Sequence, residues 1–195
     1  MIRTVAVSSH ESGPTHADGS AVYVGDMSVP ANTLVGITLG SPIAHAEIIK
    51  KDATLARAIP GVHAVLFAEA IPGKNSAGPV VDDEPLLALD KVFCVGQLVG
   101  LVVAETEEIA RAAVLAVSIE YNELPAILTI QEAILAQSFL TPPQRLKRGD
   151  VDFALQNATY RLQGEVISGG QDHFYLETQT ALALLRSGGA LEVFS

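Results

Sequence analysis

An α+β fold is what this chain predicts, and three observations carry that expectation. Strand-like runs and helical stripes follow one another in mixed order, not as the regular strand–helix repeat of a doubly wound sheet. A proline-bearing break near residues 137–150 is then followed by a hairpin-like region. The 195 residues are 49% hydrophobic and only 17% charged, where about a quarter is usual, which is enough apolar material for a sizeable core and some covered surface besides.

The opening residues are polar, include Gly13, Pro14 and Gly19, and read as an extended arm. "SAVYVGDM" alternates like a short strand, and "TLVGITLG" reads as a second, buried one. "HAEIIKKD" alternates again. "ATLARAI" makes a short helix stopped by Pro60 and Gly61. "VHAVLFA" is a strand ended by the turn Ile71 to Gly73, and the chain stays in loop from there to Pro85.

"KVFCVGQLVGLVVAE" reads as one long strand buried on both faces. Gly96 and Gly100 within it mark a bulge or a close backbone approach. In "TEEIARAAVLAVSIEY", Glu107 and Glu108 suit the first turn of a helix, whose dipole favours negative charge there. Ile109, Ala113 and Val117, with Ala110 and Val114, form its apolar stripe before the segment turns into strand near Ile119. "LTIQEAILAQ" is a further helix. "SFLTPPQRLKRGD", with Arg145, Lys147 and Arg148, reads as a linker. After it come a strand in "TYRLQGEVIS", a loop "GGQDHF", a strand in "TALALLR", the tight turn "SGG" and a strand in "ALEVFS". The end of that strand at Ser195 reads as a cut within a longer sheet.

Composition restricts the partners. A net charge of −10, from 22 acidic and 12 basic residues, argues against nucleic acid and against an anionic membrane surface. The longest apolar runs, such as "LVGLVVA", are too short to span a bilayer, and the first residues lack the apolar core of a signal peptide. The single cysteine, Cys94, lies in apolar "VFCVG"; it is expected to be buried, and it fits a reducing cytoplasm.

No phosphate loop, GxGxxG, CxxC or HExxH is present. The histidines at 10, 16, 45, 63 and 173 have no metal-ligand spacing, so no protein-ligated metal is expected. Asp82, Asp83 and Glu84 precede Pro85 and read as a solvated acidic turn, not as paired catalytic carboxylates. His45 is assigned to structure. His173, Tyr175 and Glu177 alternate and are expected as buried polar groups bonded to one another or to backbone.

Several stretches in order resemble the molybdenum-binding subunit of the xanthine dehydrogenase and aldehyde oxidase family. They are "GSAVYVGDMSVPANTL", "SPIAHAEI", "PGVHAVLFAEAIPGKNSAGP", "DEPLLALDKVFCVGQLVGLVVAET", "AAVLAVSIEYNELPAIL" and "GGQDHFYLETQ", the last being most like the xanthine dehydrogenase branch. Gly25 departs from the pattern, standing where the family usually has an acidic residue beside Asp26. The resemblance implies a flexible arm over 1–14, an α/β-hammerhead domain over 15–138, a linker over 139–159 and, over 160–195, the truncated start of a molybdopterin-binding domain. It also implies an oxidoreductase that hydroxylates hypoxanthine or xanthine with oxygen from water and passes electrons to 2Fe-2S and FAD partners.

In such enzymes the metal is held by a pterin dithiolene and not by side chains, in keeping with the missing ligand pattern. The resemblance makes Gln171, with Gly169 and Gly170, the cofactor contact of this chain. Paired glycines let backbone come close to a bulky group, and a neutral amide can polarise an oxygen ligand without supplying a competing proton. No catalytic residue is expected here, because the family's substrate-gripping and general-base residues correspond to sequence beyond Ser195. The chain alone is therefore expected to be inactive and to hold no cofactor. Its expected partners are the remainder of the molybdenum subunit, iron–sulfur and flavin subunits, and further copies in an oligomer. Two other functions stay open: a non-catalytic hammerhead docking module, and a hydroxylase of aldehydes or other heterocycles.

Overall fold

The regular elements follow the hydrophobic periods of the sequence, and a computed structural model describes residues 10–78, 80–175 and 177–195. In chain order the helices are α1 (Gly13–Asp18), α2 (Thr54–Arg57), α3 (Glu107–Ala116), α4 (Ile130–Leu135) and α5 (Val151–Gln156). The strands are β1 (Val35–Gly40), β2 (Ala46–Asp52), β3 (Val62–Phe67), β4 (Lys91–Val92), β5 (Leu98–Ala104), β6 (Ser118–Glu123), β7 (Leu182–Leu185) and β8 (Leu191–Phe194). They fall into two compact units: one over Pro30–Leu146, the other formed by the chain up to Val29 together with Lys147–Ser195. No helix among the described residues is long and apolar enough to cross a membrane.

The Pro30–Leu146 unit holds two antiparallel three-stranded sheets, in the orders β1-β5-β3 and β4-β2-β6. β5 is central because it is the most continuously apolar run: Val99, Gly100, Val102 and Ala104 are buried. Val102 and Ala104 join Ala53, Ala56, Val65, Ala110 and Ala113 in one core, where the small inner faces of α2 and α3 lie close on the sheet. Val99 joins Ala46, Ala88 and Val92 in a second core. α3 begins as its sequence demands. The Thr106 hydroxyl accepts the Ile109 N–H at 3.3 Å, and Glu107 pairs with Arg111 one turn on. α4 opens with a full capping box: Thr129 Oγ1 accepts the Glu132 N–H, and Glu132 Oε2 accepts the Thr129 N–H at 3.0 Å.

Gly100 is a close approach, as its place in a strand suggested. A Cβ there would stand 3.0 Å from both the Leu66 carbonyl oxygen and Phe67 Cδ1 of the neighbouring strand. Gly96 acts differently. It adopts φ +85° in a turn whose Gln97 N–H reaches the Cys94 carbonyl at 3.3 Å, so the single long strand expected over 91–105 is two, β4 and β5. Cys94 consequently sits in that turn, exposed rather than buried. Apolar flanks predicted burial, but the turn lifts them out: Phe93 and Val95 are exposed as well.

His45 is structural. Its Nδ1–H donates to the Pro125 carbonyl at 2.7 Å, and its ring stacks on Phe93 with centroids 5.7 Å apart. Lys51 ties the two sheets. Its side chain is only 12% exposed, and its ammonium donates to Glu69 at 2.6 Å and to the Leu89 carbonyl at 3.0 Å while lying over the Phe67 ring. Asp82, Asp83 and Glu84 form the exposed acidic turn expected of them, with Asp82 paired to Lys74.

The second unit departs further from expectation. Residues 1–9 of the predicted arm lie outside the described residues, but Gly13–Asp18 is helical. Pro14 stands in the first helical turn and Gly19 closes it at φ +78°, so the residues that suggested an extended arm are a helix start and stop. "SAVYVGDM" contains no strand. It holds a 3-10 turn, Val24–Asp26, in which Asp26 accepts the Tyr23 N–H at 3.2 Å. The expected linker 139–159 carries α5, capped by Asp150, whose side chain accepts the Phe153 N–H at 3.0 Å. "TYRLQGEVIS" has no strand either, and Leu162, Val166 and Ile167 are exposed. Alternation makes a strand only where a neighbour accepts its hydrogen bonds, and none of the described strands pairs with it. The hairpin is as predicted: β7 and β8 pair antiparallel from Leu182↔Phe194 to Leu185↔Leu191.

Candidate functional site

Two glycines remove side chains from positions 169 and 170, and the loop they open, 169–174, lies in irregular backbone with every residue exposed. Where a Cβ would stand on Gly169 or Gly170, no atom of the described residues lies within 4 Å. Packing among the described residues therefore does not require either glycine, and leaves this backbone open. The Gln171 side chain has no hydrogen-bond partner among the described residues, so both donors and the acceptor of its amide are available.

The loop is shaped by its own aspartate. Asp172 Oδ1 accepts the Phe174 N–H at 3.2 Å, the two-residue span of an Asx turn. Phe174 takes φ +52° in this turn, and its side chain is 93% exposed. A left-handed backbone at a bulky residue is uncommon, and a water-exposed phenyl ring on it adds apolar surface beside the open glycines. The available signal was the aspartate itself, a residue that favours such turns.

The alternating polar residues that follow do not share a strand face, and burial is not what unites them. His173 and Tyr175 are exposed. Tyr175 Oη accepts from Gln179 Nε2 at 2.6 Å. Glu177, partly buried, accepts the backbone N–H of Gly25 at 3.0 Å, tying the early and late segments of this unit together. Tyr175, Glu177, Thr178, Gln179, Thr180 and Ser195 line a polar cleft of about 200 Å³.

A larger cleft of about 340 Å³ lies in the other unit, lined by Leu66, Phe67, Ile71, Leu86, Leu98 and Leu101 among others. It has no ionisable side chain to orient or activate a reactant, so size does not make it the better site. Among the described residues no three His, Cys, Asp or Glu side chains gather into a metal-binding group. Beside the Asp172 carboxylate, which accepts the Phe174 N–H, and the exposed His173 imidazole, the loop offers open backbone and one neutral amide. That donor set fits a bulky group that brings its own metal ligands, and it does not fit a bare ion.

Comparison with known proteins agrees in order along the chain. Residues 18–125 match the family model described as "Aldehyde oxidase and xanthine dehydrogenase, a/b hammerhead domain", and residues 136–195 match "Molybdopterin cofactor-binding domain". The xanthine dehydrogenase/oxidase of Gallus gallus is 42% identical over 186 residues, covering 95% of this chain and 14% of that protein. Aldehyde oxidase 1 of Bos taurus is 44% identical over 177 residues, covering 90% of this chain and 13% of that protein. Among solved structures, the aldehyde oxidoreductase of Desulfovibrio gigas superposes with a TM-score of 0.81 at 28% identity, covering 94% of this chain and 22% of that one. The chain spans about a seventh of the length of the curated relatives it matches.

Proposed function

The chain belongs to the aldehyde oxidase and xanthine dehydrogenase family, and on that premise we propose that it forms the hammerhead and the opening of the pterin-binding region in the molybdenum subunit of a xanthine dehydrogenase. The whole enzyme hydroxylates hypoxanthine and xanthine with oxygen from water and passes the electrons to iron–sulfur and flavin partners. The chain by itself carries out no turnover. The observation that carries this proposal is the loop Gly169–Gln171, unfilled and unpaired among the described residues, inside the stretch that matches the cofactor-binding domain.

When bound, the molybdenum cofactor supplies the redox centre and the reactive oxygen. Gly169 and Gly170 let the main chain come against that group without side chains intervening. Gln171 would donate an amide N–H to an oxygen of the group, polarising it while adding no titrating proton. Asp172, through its bond to the Phe174 N–H, holds the turn that presents Gln171. Glu177 anchors the end of the loop to Gly25.

A second substrate class has a specific observation behind it. The bovine aldehyde oxidase is as similar to this chain as the avian xanthine dehydrogenase is, so an aldehyde-hydroxylating enzyme is the alternative. The experiment is a chimera in which residues 10–195 replace the matching segment of the Gallus gallus relative. Dye reduction is assayed with hypoxanthine and with an aromatic aldehyde, after molybdenum content is checked. Turnover at full loading supports the place of this segment in a catalytic molybdenum subunit. The substrate-gripping residues of the chimera are the host's, so purine against aldehyde is decided by the same assay on the whole enzyme that carries this chain. A folded, fully loaded chimera inert toward both would overturn both and leave a docking module.

A further inference from the structure

We draw no further inference here: the strongest candidate, the apolar cleft of about 340 Å³ at β3 and β5 lined by Leu66, Phe67, Ile71, Leu86, Leu98 and Leu101 among others, carries nothing, because it has no ionisable side chain and nothing in the structure shows what covers it.

Discussion

Glu177 accepts the backbone N–H of Gly25 at 3.0 Å, so a carboxylate just past the candidate loop is fixed by a main-chain group from the opposite end of the sequence. Gly25 is also the position at which the resemblance to the family leads one to expect an acidic residue. An acid there would sit close to the Glu177 carboxylate, and glycine avoids that repulsion. Glu177→Ala should therefore cost about 1 kcal/mol, the typical net worth of one such bond, and should speed hydrogen exchange at the Gly25 amide. Gly25→Ala should be nearly neutral, because its Cβ would stand at an ordinary 3.9 Å from the carboxylate oxygen. Gly25→Asp should cost more than either. Denaturant melts of the three variants check the order.

Gly100 is fixed by β3 lying against it. Gly100→Ala places a methyl group 3.0 Å from the Leu66 carbonyl oxygen and the Phe67 ring, and should destabilise the Pro30–Leu146 unit by roughly 1–3 kcal/mol. Gly73→Ala, in open space, should fall within about ±0.5 kcal/mol. Thermal unfolding of both variants makes the comparison. Equal melting temperatures would contradict the packing described here.

The hydrogen bond from Lys51 holds the Glu69 carboxyl below its usual range near 4.5. A carboxyl whose folded value is depressed contributes stability that is fully present above the unfolded value and lost as pH falls through the folded one. The contribution of this pair should thus be complete above about pH 5 and fade below 4.5. Glu69 is largely exposed, so screening keeps the contribution at or below about 1 kcal/mol. Lys51→Met should lower stability at neutral pH and flatten its acid dependence between pH 5 and about 3. An unchanged acid slope would separate the pair from the titration.

In a cofactor-loaded whole enzyme, Gln171→Ala should lower kcat ~10²–10³-fold with a much smaller change in KM, since a donor aimed at a reacting oxygen matters most in the transition state. Asp172→Asn should stay within about ±0.5 kcal/mol in stability, because the amide oxygen can still accept the Phe174 N–H. Asp172→Ala cannot accept it, and should free the turn and speed exchange at that N–H. Full activity of Gln171→Ala at full molybdenum loading would make the loop a polar connection only.

The Pro30–Leu146 unit was legible in the sequence because its elements bury one face against each other. The stripe through Ile109 and Ala113 and the stop at Pro60 and Gly61 each had a local physical cause, whereas β2 does not alternate as expected because its register with β6 shifts between Ile48 and Lys50. The turn at Gly96 was misread because its neighbours are apolar, and periodicity alone does not register a left-handed backbone. The hairpin was legible from its turn glycines. The stretch from Tyr160 to Ser168 was not, because its alternation is real but no described strand completes the ladder. At the site, the glycines and the amide could be read directly. The bond from Asp172 and the reach of Glu177 to Gly25 could not, since one depends on a local rotamer and the other on contact between distant segments.

The pairing of β5 with both β1 and β3 sets the order in which the sheet can assemble during synthesis. β1 and β3 leave the ribosome early, yet neither pairs with the other, and both wait for Leu98–Ala104. At about 5–20 residues per second that delay lasts seconds, far longer than a hairpin needs to close. Through that interval two apolar strands have no partner of their own. The β1-β5-β3 sheet cannot be complete before Ala104 has been made, because its central strand is the last of the three in sequence.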